Sequence, residues 1–387
     1  MGNCPKTLEG GTLGPSPAAA ARRVCIVTNI PAPYRVPVLN ALAEMPGLDL
    51  SVMYCARSEP DRHWDLPPLT HRHRFLQGRV WTRHGRYVHF NPSVWPALRL
   101  LAPHIVVTTG FNPTHLMAWA YTRAHGVAHV AMTDGTDHSE ASLGPIHRQL
   151  RRAVFSTSRA FVVASRGGER LLQQYAVEMN RVHRSPLIAN PAVDWRPVSQ
   201  AARDIDMLWS GRIEPVKNLE FALEVAAGTA RRVGRTLHLA VLGSGSQMAR
   251  MQQAAASLSG QLRVTFAGHV AQPDLPGWYA RSRLFLFPTR WDPWGVVANE
   301  ACEAGVPVIV SPHAGAAGEL IVDRLNGRIL PLEAPAWMAA CAELLADAGL
   351  WQRMSQACRQ QAGGFGLQAA VAGLFDAFCQ AGDTRPP

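Results

Sequence analysis

The stretch LFLFPTRWDPWGVVANEACEAGVPVIVS, residues 284–311, reads as strand, loop, helix and strand in succession. Apolar residues Leu284–Phe287 stop at Pro288, a polar loop carries Asp292, a run with helical spacing opens near Gly295, and Val306–Val310 is a second β-branched strand. Strands joined through a helix pair in parallel, so this block specifies a βαβ unit and a parallel sheet. Ligands of open parallel sheets bind beyond the carboxyl ends of the strands, which makes loop 288–295 a place to look for chemistry.

The same alternation runs outward in both directions. Strands are expected at Val24–Thr28, Leu50–Tyr54, Ile105–Thr109, Ala128–Met132, Ala160–Ala164 and Val182–Ile188, and again at Met207–Ser210, Leu237–Leu242, Leu262–Phe266 and Arg328–Leu330, with helices between. Residues 56–90, dense in Arg, His and Trp, show no clear period and read as loop with irregular strand. A chain of 387 residues suits two α/β domains rather than one. Residues 191–205, with two prolines and no apolar period, read as the connection. The expected division is a tail at 1–22, Rossmann-like domains at 23–190 and 206–365, and a last helix and tail at 366–387. That last helix, with Leu367, Val371, Leu374 and Phe378 on one face, either finishes the second domain or packs back on the first.

At the opening of the helix in the quoted block, Gly295, Val296 and Val297 present backbone N–H groups without intrahelical acceptors, and the helix dipole is positive there. Glu300 lies about 7–8 Å further along at 1.5 Å per residue. That separation suits one carboxylate on the sugar and the other on the ribose of a single nucleotide-sugar, since carboxylates accept from hydroxyl pairs. Val297, Ala301 and Ala304 place the face bearing Glu300 against the core. Upstream, GRIEPVKN follows a strand ending at Ser210, so Gly211 turns the chain and Arg212 and Lys217 flank a loop that opens a helix. Two cations there suit a diphosphate. The chain holds two lysines against 36 arginines, so a lysine at 217 points to a position that wants an ammonium.

These two blocks resemble the E-x7-E region and the G-R-x-x-x-x-K loop of retaining glycosyltransferases of family 4, which have the GT-B fold. The resemblance extends over most of the second domain. It implies a GT-B-like pair of Rossmann-like domains facing a cleft, a crossover of the last helix, and a second domain that binds a nucleoside-diphosphate-sugar, UDP- or GDP-linked, as co-substrate. It further implies that Arg212 and Lys217 neutralise the diphosphate, Asp292 contacts the sugar, Glu300 holds the ribose, backbone around Trp294, Gly295, Val296 and Val297 touches sugar and phosphate, and Gly268, His269 and Val270 touch the base. Asp292 stands where such enzymes usually carry Glu, which bears on donor choice.

The first domain, expected on the acceptor side, resembles the family less tightly. VCIVTNIPAPYRVPVLNAL, residues 24–42, is similar to the first strand and loop of a subset, with Tyr34 and Arg35 facing the cleft. After the strand at Ala128–Met132 the family often places a histidine; here Asp134 fills that position, His138 is able to fold back towards it, and the remaining reading is a turn with Asp137 as a cap.

Other chemistries fit less well. GSGS at 243–246 departs from a dinucleotide fingerprint, because Met248 stands three residues after Gly245. Asp204 and Asp206 form a D-x-D pattern ahead of a strand, away from the loops that hold metal phosphates, and two cations at the diphosphate make a metal unnecessary. Seven cysteines without a C-x-x-C pair argue against a disulfide frame or structural zinc and suit a cytoplasmic chain. Lys6 departs from the lipidation pattern begun by MGNC. The net charge of +10 resides in residues 1–200, which hold 22 Lys and Arg against 12 Asp and Glu. With no basic run, this excess suits an anionic partner other than nucleic acid: a membrane surface on the inner face, a lipid-linked phosphate or an acidic glycan. The function expected is transfer of a sugar to a glycan or lipid-linked acceptor in cell-surface polysaccharide or glycoconjugate synthesis. The alternatives are a GT-B sugar-nucleotide epimerase and a catalytically silent glycan-binding module.

Overall fold

The computed structural model describes residues 21–60, 66–83, 86–140, 143–195 and 199–383. The first sheet is assembled from β1 (Arg22–Thr28), β2 (Leu48–Tyr54), β3 (Arg72–Phe75), β6 (Ile105–Thr108), β7 (Ala128–Thr133), β8 (Ala160–Val163) and β9 (Val182–Arg184), in the spatial order β3-β2-β1-β6-β7-β8-β9. The second contains β10 (Ile205–Ser210), β11 (Leu237–Leu242), β12 (Leu262–Gly268), β13 (Ser282–Phe287), β14 (Val308–Val310) and β15 (Gly327–Ile329), ordered β12-β11-β10-β13-β14-β15. Within both sheets every pairing is parallel. That explains the sequence pattern: central strands such as β6, β8 and β11 are buried along their whole length because helices cover both faces.

Each sheet reverses its strand order beside its first strand, between β1 and β6 and between β10 and β13. Such switch points open a crevice at the carboxyl edge. The loops after β1, β10 and β13, which carry Tyr34, Lys217 and Asp292, therefore start beside a crevice.

Several boundaries differ from expectation for physical reasons. The strand expected over Val182–Ile188 ends at Arg184, since Pro186 has no N–H to continue the ladder. Where loop with irregular strand was expected between 56 and 90, the strands are regular: β3 joins the first sheet and β4 (Arg79–Arg83) pairs antiparallel with β5 (Arg86–Phe90) as a separate ribbon. β10 begins at Ile205, inside the expected connection, so Asp206 lies within a strand.

Helix Leu367–Asp383 crosses back to the first domain. Its Ala370, Leu374, Ala377, Phe378 and Ala381 are buried with β1, β2, β6, β7 and β8 residues, and Leu367 and Val371 pack at the margin of that cluster. Gly373 rests against the carbonyl of Arg184, where a Cβ would overlap it. Residues Ala348–Asp383 include a window with mean hydropathy 1.3, enough by length and composition to cross a bilayer. The chain divides that stretch at Gly364–Gly366 into two helices, and the first, Ala348–Gly363, packs on helix Val296–Glu303.

Candidate active site

The loop after β10 and the loop after β13 are sewn together by backbone. The N–H of Arg290 donates to the carbonyl of Val216 at 2.8 Å, the Thr289 hydroxyl donates to the same oxygen at 3.1 Å, and the Arg290 guanidinium reaches Asn218 Oδ1 at 3.2 Å. This places the Lys217 ammonium 2.5 Å from Asp292 Oδ2, with side chains 20% and 13% exposed. The other oxygen, Oδ1, accepts from the Trp294 N–H at 3.1 Å, while the Asp292 backbone pairs with the loop that follows β14. Sequence reasoning gave Lys217 to the diphosphate and Asp292 to the sugar. In the structure each is the other's partner.

Arg212 is exposed at the mouth of the same loop. Glu214, two residues on, accepts from the N–H and hydroxyl of Ser246 at 3.0 and 2.6 Å, and these bonds hold its carboxyl below the usual range. Gly211 donates to Leu242 and Gly243 to Gly268, so the turns after β10, β11 and β12 stack at one edge. A Cβ on Gly243 would overlap the Gly211 carbonyl. The GSGS segment is thus a packing device for this edge. Next to it, His269 is exposed and Val270 packs on the apolar cluster of the second domain.

Helix Val296–Glu303 starts from Gly295, whose φ of +99° puts it in the region glycine favours and whose α-carbon lies against the Phe287 ring. Trp294 is buried, its N–H on Asp292 and its carbonyl accepting from the Ala316 N–H; its indole N–H donates to Asn299 Oδ1 at 2.8 Å, and Asn299 Nδ2 donates to the Leu187 carbonyl at 3.1 Å. The helix start is thereby fixed to the first domain. Glu300 is buried, as its face predicted, and accepts from the Tyr279 hydroxyl at 2.7 Å. Desolvation raises its carboxyl to about 7, against the lowering effect of that bond.

On the first domain, Arg35 donates to Asp134 Oδ1 at 2.6 Å and to the carbonyl and hydroxyl of Ser185 at 3.2 and 3.1 Å. Asp134 is therefore held by an arginine. Together with Tyr34, Tyr54, Glu59 and Thr109 the pair lines a cavity of about 230 Å³. Tyr34 also packs on the second domain's apolar cluster.

His138 does not fold back towards Asp134. Helix Asp137–Glu140 carries it across the cleft, where its ring lies 5.8 Å from that of Trp291 at 28°. Asp137 opens that helix and is bound by Arg170 at 2.8 and 3.2 Å. Beside this stack a second cavity of about 320 Å³ is lined from both domains by Asp137, Arg166, Asp292, His313 and Glu319. The Arg166 N–H donates across it to Glu319 Oε1 at 2.8 Å. Trp291, Tyr279 and Glu319 were not singled out from sequence. Trp291 was signalled only by its place beside Asp292, and nothing in the sequence marks the other two. The D-x-D residues take no part: Arg281 binds Asp204 and Arg235 binds Asp206.

Comparison with known proteins follows the same outline. Residues 194–361 match the family described as Glycosyl transferases group 1. The match covers most of the second domain, from the connection to helix Ala348–Gly363. A D-inositol 3-phosphate glycosyltransferase of Xylanimonas cellulosilytica is 26% identical over 257 residues, 60% of each chain, and an alpha-D-kanosaminyltransferase of Streptomyces kanamyceticus is 24% identical over 58% of this chain and 62% of its own. The chain thus spans about 60% of the length of these curated relatives. Among solved structures, sucrose-phosphate synthase of Thermosynechococcus elongatus superposes with a TM-score of 0.70 at 16% identity, covering 93% of this chain and 99% of its own. HepE of Anabaena in complex with UDP gives 0.72 at 12% identity, covering 92% and 99%. The architecture is the GT-B fold.

Proposed function

We propose that the protein is a retaining glycosyltransferase that moves a sugar from a nucleoside-diphosphate-sugar to a glycan or lipid-linked acceptor. The observation that carries this reading is the convergence of Lys217, Asp292 and the start of helix Val296–Glu303 at one carboxyl edge, with the first domain's cavity across the cleft. The names of the relatives and the UDP held by HepE support a nucleotide-sugar donor, UDP- or GDP-linked.

In the proposed reaction the bond between the anomeric carbon and the β-phosphate oxygen breaks and a bond to an acceptor hydroxyl forms. The departing diphosphate takes the negative charge, which Lys217, Arg212 and the helix start stabilise by preorganised electrostatics. The acceptor's proton passes to the leaving phosphate. When donor binds, Lys217 exchanges Asp292 for phosphate, and Asp292 is released to the sugar hydroxyls. Glu300 receives the ribose, Gly268, His269 and Val270 border the base, and Tyr34, Arg35, Asp134 and His138 lie on the acceptor side. Cell-surface glycan synthesis, at the cytoplasmic face of the membrane, is the setting that suits the basic first domain.

The test is a panel of UDP-, GDP- and ADP-sugars read by thermal shift, since a ligand of the folded state raises apparent stability. It is followed by mass analysis of donor and acceptor. Glycosylated acceptor supports the reading, an epimerised donor replaces it with an epimerase, and binding without turnover replaces it with a glycan-binding module.

A further inference from the structure

We infer that the outer face of the β4–β5 ribbon is a docking surface for an anionic lipid bilayer. The register pairs Arg79 with Phe90 and Trp81 with Val88. Side chains alternate along a strand, so Arg79, Trp81, Val88 and Phe90 share one face. Trp81 is 44% and Phe90 40% exposed, and Arg79 is exposed beside them. Large aromatics are seldom left in water together unless a surface covers them.

The opposite face is fastened at His89, while Val80 on that face is 38% exposed. His89 is buried and its Nε2 lies 2.9 Å from Glu59 Oε1, while the Thr114 hydroxyl donates to the His89 carbonyl at 3.1 Å. The ribbon is thus anchored through His89 and presents Trp81 and Phe90 on the other face.

The charge of the surrounding chain identifies the partner. Residues 66–133 contain seven arginines and no aspartate or glutamate. Arg74, on β3 shortly before the ribbon in the chain, is also exposed. Tryptophan and phenylalanine interleaved with arginine match a membrane interface: the rings enter the headgroup layer and the guanidinium groups bind lipid phosphates. This inference rests on the membrane setting proposed above and not on the reaction itself.

The experiment is flotation of the full chain with phosphatidylcholine vesicles, with and without phosphatidylglycerol, at low and high salt. Binding only to the anionic vesicles, weakened by salt, with a loss of about tenfold in Trp81→Glu and in Arg79→Glu, is the expected result. Thermal shift by the nucleotide-sugar, measured on the same variants, shows that they fold. Equal binding to neutral vesicles, variants that bind like the parent, or ribbon-dependent binding of single-stranded RNA in place of vesicles would each overturn it. If vesicle binding fails while nucleotide-sugars still raise the melting temperature, only the docking surface is lost.

Discussion

The Lys217 ammonium sits 2.5 Å from Asp292 Oδ2, joining the loops that follow β10 and β13. An ammonium that already faces a carboxylate holds it in place, ready for an exchange of partners. Replacing Lys217 with Ala leaves Asp292 without its cation and removes one positive charge from the proposed diphosphate site. We expect a stability loss of about 1 kcal/mol, because the pair is partly solvated, and a weakening of nucleotide-sugar binding by at least about tenfold, in line with loss of a charge-assisted contact. Thermal shift with and without donor separates the two effects. Donor affinity and rate that both persist in Lys217→Ala would remove Lys217 from the diphosphate site.

Glu300 supplies a pH signature. Burial raises its carboxyl to about 7 in the folded protein, from the ordinary 4.5 that it keeps when unfolded. The folded state therefore binds the extra proton between those values, and stability falls as pH rises from about 4.5 to about 7 and then levels off. Glu300→Gln keeps an acceptor for the Tyr279 hydroxyl without the charge. It is expected to melt higher than the parent at pH 8 and alike at pH 4. Nucleotide-sugar binding runs the other way, strengthening as pH rises through about 7 and the carboxylate forms to accept ribose hydroxyls. Calorimetric titrations across this range check both slopes.

The stack of His138 on Trp291 is one of the contacts that close the cleft. Trp291→Ala removes an aromatic pair worth about 0.5–1.5 kcal/mol and admits water beside the proposed sugar site. Transfer is expected to slow while hydrolysis of the donor rises relative to it, with donor affinity little changed. Product analysis with and without acceptor measures that ratio, and an unchanged ratio would deny the stack its part in excluding water.

Gly373 offers a test of the crossover helix. Ala at this position forces the helix away from the Arg184 carbonyl and is expected to cost about 1–3 kcal/mol, the usual range for overpacking. Denaturant unfolding reads the loss. Because the contact lies in the first domain, the shift given by donor binding to the second should persist.

The two parallel sheets were legible because buried strands announce themselves as apolar runs between turn residues, and because Gly211, Lys217 and Asp292 lie in loops that follow strands, with Glu300 in the helix after. The ribbon was not legible: its strands carry Arg, His and Trp in a segment without a core to impose alternation, so only pairing revealed it. The partners of the site residues were hidden for another reason. That Asp134 belongs to Arg35, Lys217 to Asp292 and His138 to Trp291 depends on how loops from distant parts of the chain meet, and side-chain type carries no record of that meeting. The burial of Glu300 was readable from Val297 and Ala301, whereas its bond to Tyr279 joins two helices and left no local trace.

The return of helix Leu367–Asp383 to the first sheet has a consequence for synthesis on the ribosome. The first domain's apolar core is completed by residues translated after the whole second sheet. The second sheet is thus made before the segment that closes the first core, and the first domain's burial of apolar surface stays incomplete until that distal helix is in place.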